Sequence, residues 1–274
     1  MAGTYIKIAS WNIAKAFNDK RAATIEKGID RLDADIIVLS EAFFTDHNTP
    51  PGFVEDRVKA MQEMADRLGY DYFSCTPYNG HDYPDNQPVD YDLYLVALSR
   101  FPVAFQVKRL DARDSLFITY RDDQWAQDIT IVGTHFDDLS ETSRQAMAAA
   151  ALKLLDLSKP TVIMGDMNSM HGNTWQALLV ESRPGRWALR HMPTDFTKSL
   201  GERLYGMAAG TTQKMLSNSG LEDADPKRRS TFIYKFILFA QLDHILTANL
   251  NVLSFDNHWL GGSDHKAISA EISL

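Results

Sequence analysis

Thr161-Val162-Ile163-Met164-Gly165-Asp166-Met167-Asn168 is a short apolar run that stops on a carboxylate and an amide. Asp35-Ile36-Ile37-Val38-Leu39-Ser40 has the same form and is followed by Glu41. A run without polar alternation suits a strand buried on both faces, because neither side of the pleat meets water. Such strands occur where a sheet is covered on both sides, so these two segments predict an α/β protein with layered sheets.

Outward from these runs the pattern alternates clustered strands with separate helices. Residues 5–10 are β-prone, and residues 19–32 have helical character. Val54, Val58, Met61, Ala65 and Leu68 keep helical spacing, with Gly69 placed as a C-terminal stop. A loop rich in Pro, Asn, Asp and Gly is expected over 76–90. Strands are expected over 93–99, 103–110, 116–120 and 128–134, then an alanine-rich helix over 140–155. A helix is expected over 175–180. Residues 181–229 mix helical pieces with a stop at Gly220. Strands over 243–247, 252–255 and 266–272 close the chain. This order predicts two packed mixed β-sheets flanked by helices, in one domain over 1–274.

Composition narrows the function. Of 274 residues, 45% are hydrophobic and 23% charged, enough for a large core. The formal net charge of -8 argues against salt-driven, sequence-independent DNA binding as the main activity. It leaves nucleic acid open as a substrate, because bound cations and a local basic patch can offset a negative background. Cys75 is the single cysteine, which excludes an intrachain disulfide and a cysteine-built zinc site. No apolar stretch is long enough to span a bilayer and no signal peptide is evident, so the expected location is cytoplasmic. Nothing in the pattern speaks to oligomeric state.

The polar residues at strand ends carry the chemistry. Asn12 follows Ile6-Lys7-Ile8-Ala9-Ser10-Trp11, and Glu41 ends its own apolar run. A carboxylate there is costly unless paired, hydrogen-bonded or bound to metal, though each residue alone fits a cap or a turn equally well. His135 ends residues 129–134, with Asp137 and Asp138 close behind; helix capping is the expected role of Asp138. Asp166 and Asn168 are two apart and face the same side of an extended backbone. Together they can orient a water, accept its proton and hold a phosphoryl oxygen. Gly261-Gly262-Ser263-Asp264-His265 is a turn in which adjacent Asp and His side chains can reach one cleft. Asp243, in Gln241-Leu242-Asp243-His244-Ile245-Leu246, can then orient the His265 ring.

Trp11-Asn12, Ser40-Glu41, Thr134-His135, Gly165-Asp166-Met167-Asn168, Leu242-Asp243-His244-Ile245 and Ser263-Asp264-His265 stand in the order of the endonuclease/exonuclease/phosphatase superfamily, which the chain resembles nearly throughout. Ser99-Arg100-Phe101-Pro102 and Ser230-Thr231-Phe232 also look like segments of that superfamily. The resemblance implies a four-layer α/β sandwich and a metal-dependent phosphoester hydrolase, foremost a phosphodiesterase. It implies Mg²⁺, with Mn²⁺ or Ca²⁺ as alternatives, on Glu41 assisted by Asn12 and Asp264. It implies that Asp166 activates the attacking water, that Asn168 fixes that water, and that His135 and His265 contact the scissile phosphate, with Asp243 behind His265. Abasic-site endonucleases carry an acidic residue where this chain has Ala14, which argues against that branch and against a second metal subsite.

Arg144, Lys227, Arg228 and Arg229 are candidate contacts to a flanking phosphate, with a helix-surface ion pair and a solvated basic turn as the plainer readings. Phe43 and Phe44 suit the core better than base stacking. Two other readings of the resemblance are a phosphomonoesterase of inositol-phosphate type and a catalytically silent scaffold. The expected partner is a phosphate-ester substrate, with nucleic acid open; a silent scaffold would keep the fold and bind a partner.

Overall fold

Every residue of β2 (Ile36–Ser40) is buried. Ile36 and Val38 enter one hydrophobic cluster while Ile37 and Leu39 enter another, as alternation along an extended backbone requires. In β10 (Thr161–Asp166), Val162 and Met164 likewise face one cluster and Ile163 a third. Both strands therefore lie between a helix layer and a second sheet. A computed structural model describes residues 5–14, 20–46, 48–76, 91–121, 125, 127–172, 177–178, 180, 182–190, 203, 206–234 and 238–274.

Two six-stranded mixed sheets dominate the described residues. The first runs β15 (Asn251–His258), β16 (Ala267–Ser273), β1 (Ile6–Asn12), β2, β6 (Val96–Ser99), β4 (Tyr72–Cys75). The second runs β11 (Glu222–Asp223), β14 (Asp243–Ala248), β10, β9 (Ile129–His135), β8 (Arg113–Tyr120), β7 (Val103–Leu110). Two small ribbons pair β3 (Phe44–Asp46) with β5 (Tyr91–Leu93), and β12 (Phe232–Tyr234) with β13 (Leu238–Ala240).

Each large sheet has the same centre: one parallel pair with antiparallel strands on both sides. β1 and β2 are parallel and joined through α1 (Ala22–Leu32); β9 and β10 are parallel and joined through α3 (Glu141–Leu154). A parallel pair needs such a crossover, and it places the carboxyl ends of both strands together. Asn12 consequently stands beside Ser40, and His135 beside Asp166.

The layers follow from three apolar clusters. α1 and α2 (Phe53–Arg67) bury Ile25, Ile29, Leu32, Met61 and Met64 against Trp11, Ile37 and Leu39. α3 and α5 (Thr211–Asn218) lay Met147, Ala148, Ala151 and Leu216 on Val132, Ile163 and Leu246. The seam between the sheets holds Ile8, Ile36 and Val38 against Leu116, Ile131, Val162 and Ile245. Each such side chain contributes about 1.5–3 kcal/mol on full burial. The sheets come close enough at Gly133 that a Cβ there would sit 2.7 Å from Val38 Cγ2. A fifth described helix, α4, spans Arg183–Arg190.

The architecture is the expected α/β sandwich of two mixed sheets with helices outside. Boundaries differ where local hydrogen-bond partners override pattern. The strand expected over 93–99 divides into β5 and β6, because Tyr94 and Leu95 turn aside to accept backbone bonds from Ala42 and Thr76. β8 starts at Arg113, ahead of the apolar run, since Arg113 reaches Asp138 and Ser115 donates to Thr134 Oγ1. Of the loop expected over 76–90 only Thr76 lies within the described residues, and of the helix expected over 175–180 only Ala177, Leu178 and Val180. No described helix is long and apolar enough to cross a membrane.

Candidate active site

The carboxyl ends of the two parallel pairs open into one cleft of about 340 Å³, lined by Ala14, Glu41, Asp138, Asp166, Asn168, Arg203 and others. Clefts outside the carboxyl ends of strands are where α/β sheets bind ligands. Here both sheets contribute to the wall: Ala14 and Glu41 follow strands of the first, and Asp166 and Asn168 end and follow β10 of the second, with Asn12 and His135 buried outside the lining.

Asp166 is the centre of the cluster. Its Oδ2 accepts from Asn12 Nδ2 at 2.9 Å, and its Oδ1 accepts from the Asn168 backbone N–H at 2.9 Å. His135 Nε2 stands 3.9 Å from Oδ2, and His265 Nε2 3.7 Å from the same oxygen. Burial, and then the charge of Asp243, push the Asp166 carboxyl up to about 7. Its ionisation is therefore poised at neutral pH.

His265 rests on Asp243, with Nδ1 2.7 Å from Oδ2. Burial disfavours the imidazolium, but the charges of Asp243 and Asp166 outweigh it, and the ring is raised to about 10. With Nδ1 committed to Asp243, the Nε2–H points toward Asp166 and the cleft. Phe232 packs beside the ring at 4.9 Å between centroids. Trp11 Nε1 donates to the His265 carbonyl at 3.2 Å. Ser263 Oγ donates to the Asn12 carbonyl at 2.7 Å and accepts from the His265 N–H. These bonds fasten the Gly261-Gly262 turn, where φ is 78° and 81°, to the end of β1.

Asn12 turns its amide nitrogen to Glu41 Oε1 (3.2 Å) and Asp166 Oδ2, while its oxygen accepts from the Ala14 N–H at 2.9 Å. The carboxamide thus bridges the two carboxylates as a donor. Asn168 donates its side-chain amide to the Phe136 carbonyl at 2.9 Å. Glu41 and Asn168 both adopt left-handed backbone, with φ of 49° and 47°, as does Ala14 at 49°. Such conformations cost energy in non-glycine residues and mark places where the surroundings hold a side chain in a set direction.

Gly165 allows the close approach beneath Asp166. A Cβ there would lie 1.8 Å from the Thr134 carbonyl oxygen. Thr231 Oγ1 accepts the N–H groups of both Leu242 and Asp243 at 3.0 Å and so fixes the start of β14. Asp166, Asp243 and His265 form one group of converging donor atoms; His171, Asp223 and His244 form a second, away from the cleft lining.

The structure gathers Asn12, Glu41, His135, Asp166, Asn168, Asp243, Asp264 and His265 at the cleft or directly behind it. It does not bring the expected basic residues there. Arg144 has no exposed surface; its Nε meets Glu141 Oε2 at 2.8 Å and its Nη1 the Asp137 carbonyl at 3.0 Å. That is a buried brace of α3, because a desolvated guanidinium needs every partner it can reach. Lys227, Arg228 and Arg229 also lie outside the lining. Arg229 binds Asp225 and the Phe255 carbonyl and covers the Phe255 ring at 4.9 Å, so the turn is pinned to β15.

The expected capping role of Asp138 also changes. The helix cap of α3 is Ser140, whose Oγ accepts from the Ser143 N–H, and Asp137 takes the N–H groups of Leu139 and Ser140. Asp138 instead pairs with Arg113 at 2.8 Å and Arg203 at 3.1 Å. Arg203 is the guanidinium that lines the cleft, and it sits in a segment whose sequence gave no strand-end signal. Phe43 is buried and stacks on Tyr94 with centroids 4.2 Å apart, as its core assignment requires.

The donor set tests the implied metal. Glu41 and Asp264 offer hard carboxylate oxygens on one cleft with water access, which suits a hard divalent cation. The lining contains no cysteine, and its cationic groups, Arg203 and His265, are already paired with Asp138 and Asp243. The residues fit a hard divalent cation.

No curated protein matches the chain. Solved structures match its fold. An endonuclease/exonuclease/phosphatase from Beutenbergia cavernae aligns with a TM-score of 0.69 at 18% identity, over 98% of this chain and 72% of the other. An AP endonuclease from Archaeoglobus fulgidus aligns with a TM-score of 0.62 at 13% identity, over 97% and 98%. ANGEL2, a 2',3'-cyclic phosphatase, in complex with adenosine-2',3'-vanadate, aligns with a TM-score of 0.61 at 14% identity, over 100% and 97%. A family model described as Endonuclease/Exonuclease/phosphatase family matches residues 9–265, and the chain belongs to that family.

Proposed function

We propose that this protein is a Mg²⁺-dependent phosphodiesterase that hydrolyses a phosphate ester in the cleft between its two sheets. The observation that carries the reading is Asp166 itself. It is a buried carboxylate raised to about 7, with His135 and His265 each within 4 Å and an amide on each oxygen. A general base works best when its pKa lies near the operating pH, and a structural carboxylate has no need of that tuning.

In the proposed reaction a water beside Asp166 gives its proton to that carboxylate as its oxygen forms a bond to phosphorus, while the bond from phosphorus to the ester oxygen breaks and that oxygen leaves with the electron pair, to be protonated from solvent. Asn12 and Asn168 hold Asp166 by its two oxygens, which fixes the direction in which it accepts. His265 presents Nε2–H to a phosphoryl oxygen as negative charge builds there, and Asp243 keeps the ring cationic. His135 faces the same oxygens from the second sheet. Removing one such donor typically costs about 2.7–4 kcal/mol of transition-state stabilisation. Glu41 and Asp264 would hold Mg²⁺ (Mn²⁺ and Ca²⁺ being the alternatives), with Asn12 orienting Glu41. When bound, the ion polarises the phosphoryl group and stabilises the leaving oxygen. Ala14 leaves no further carboxylate beside Asn12, in line with one principal ion.

The names of the fold neighbours favour nucleic-acid or nucleotide phosphates as the first substrates to try. The test is a screen of DNA, RNA, 2',3'-cyclic nucleotides, inositol phosphates, sphingomyelin and bis-p-nitrophenyl phosphate with Mg²⁺, Mn²⁺ and Ca²⁺. Turnover of a diester that disappears in Asp166→Asn supports the reading. Turnover of monoesters alone moves the protein to the phosphatase reading. Tight Mg²⁺ binding without any turnover indicates a silent scaffold.

A further inference from the structure

His244 lies behind the cleft with no exposed surface. Its Nδ1 is 2.8 Å from Asp223 Oδ2, and its Nε2 is 2.8 Å from the Ser169 carbonyl oxygen. A neutral imidazole has one N–H and one lone pair, so it satisfies one acceptor and meets the second lone pair to lone pair. Turning the ring over would carry both nitrogens away from their partners. Placing a proton on Asp223 does not resolve the conflict either. Asp223 Oδ1 accepts the Asp225 N–H at 2.9 Å, and Oδ2 also faces Gln241 Nε2 at 3.2 Å and His171 Nε2 at 2.8 Å. A carboxyl ringed by donors is held as the carboxylate.

We propose that His244 is a buried imidazolium, ion-paired with Asp223, that positions the catalytic loop after β10 and the first residue of β14 from behind. His171 donates to the same carboxylate as a neutral ring, so the cluster holds one positive and one negative charge. The three residues come from three segments: His171 from the loop after β10, Asp223 from β11, His244 from β14. Ser169, whose carbonyl the imidazolium holds, directly follows Asn168 with its left-handed backbone. Asp243, the support of His265, directly precedes His244 and faces the other side of the strand. One charge-assisted contact therefore acts on the segments that carry Asn168 and Asp243 together.

The charged groups facing His244 are Asp223 and Asp243, with His171 beside them; its ring centroid is 5.4 Å from that of His171. Burial lowers the His244 pKa, but the bond to and charge of Asp223 prevail and raise it. Burial first, then the His244 cation and Arg228, lower that of His171 despite Asp223. The cluster does not need an ion between the rings, because the lone pairs of Asp223 Oδ2 are already used by three donors.

The test uses the full chain labelled with ¹⁵N-histidine, without added metal, and long-range ¹H–¹⁵N spectra from about pH 6 to about pH 9. His244→Gln assigns the signals. The expected result is that both His244 ring nitrogens keep imidazolium shifts across this range, while His171 stays neutral. Titration of His244 near the ordinary value of about 6.5 overturns the proposal. So does loss of the imidazolium signals on adding one equivalent of Zn²⁺, which would make the rings ligands. In Asp223→Asn the His244 ring becomes neutral at pH 7, and hydrogen exchange over residues 167–172 speeds up by about tenfold or more. Unchanged exchange in a folded Asp223→Asn overturns the positioning role; if that variant does not fold, the wild-type titration decides. None of these readouts depends on hydrolysis, so their failure is separable from failure of the proposed activity.

Discussion

Asp166 and Asp243 stand directly opposite each other across the β10–β14 pair, and His265 spans both, 2.7 Å from one carboxylate and 3.7 Å from the other. Two like charges on facing positions repel, so the pair is stable only with a cation between or beside it. The imidazolium of His265 supplies that cation on the Asp243 side.

Asp166 bears the remaining strain. Its raised pKa means that the fold prefers the protonated carboxyl. The resulting instability is absent below the unfolded value of 3.8, grows as pH rises, and is complete above about 7. Asp166→Asn is expected to unfold at higher urea than wild type at pH 7.5, by on the order of 1–3 kcal/mol, with the gap closing at about pH 4. The same variant loses hydrolysis. Equal or lower stability at neutral pH refutes this account.

His265 has the opposite sign. Its pKa is raised to about 10, so its stabilisation is fully present below the unfolded value of 6.5 and is lost as pH climbs through about 10. Asp243→Asn removes the main source of that shift. The His265 titration followed by NMR should fall by at least ~1 unit, and kcat by about 100-fold or more, with KM little changed. An unmoved titration would show that Asp243 does not govern the ring.

Glu41→Ala tests the ion site apart from the chemistry. In wild type, Mg²⁺ at ~100 Kd should add about 2.7 kcal/mol to stability, read as a rise in Tm, because the ion binds only the folded chain. Glu41→Ala should abolish that rise, whereas His265→Ala should keep much of it. A full Mg²⁺ response in Glu41→Ala places the ion elsewhere.

Gly133→Ala probes the seam between the sheets. The new methyl would meet Val38 Cγ2 at 2.7 Å and Cγ1 at 2.8 Å. Overpacking of this kind costs about 1–3 kcal/mol. Val38→Ala in the same chain should recover a good part of the loss, and a urea double-mutant cycle measures it. Additive losses would mean the contact is relieved by other shifts.

The fold was legible because Ile36–Ser40 and Thr161–Asp166 carry the mark of double burial in their composition alone. The convergence of the candidate residues was legible for a related reason: Asn12, Glu41, His135 and Asp166 are polar residues at or just after the ends of apolar strands. Arg203 gave no such signal, since it belongs to no strand and earns its place through Asp138, which is remote in sequence. Arg144 misled because a helix arginine reads as exposed, and only packing shows it buried on Asp137 and Glu141. The Asp223–His171–His244 cluster was hidden because its three members meet through tertiary pairing that no spacing encodes.

The parallel pair at the centre of each sheet has a mechanical consequence. Glu41 rides on one pair and Asp166 on the other, so the molecule resembles a calliper whose jaws are the sheets. The gap at the tips is set by how the shafts are bolted at Val38 and Gly133, beneath the opening. A displacement of about 1 Å in reacting groups can cost ~100-fold in rate. Substitutions in the bolt, far from any phosphate, should therefore be felt first as lost turnover and only later as lost structure.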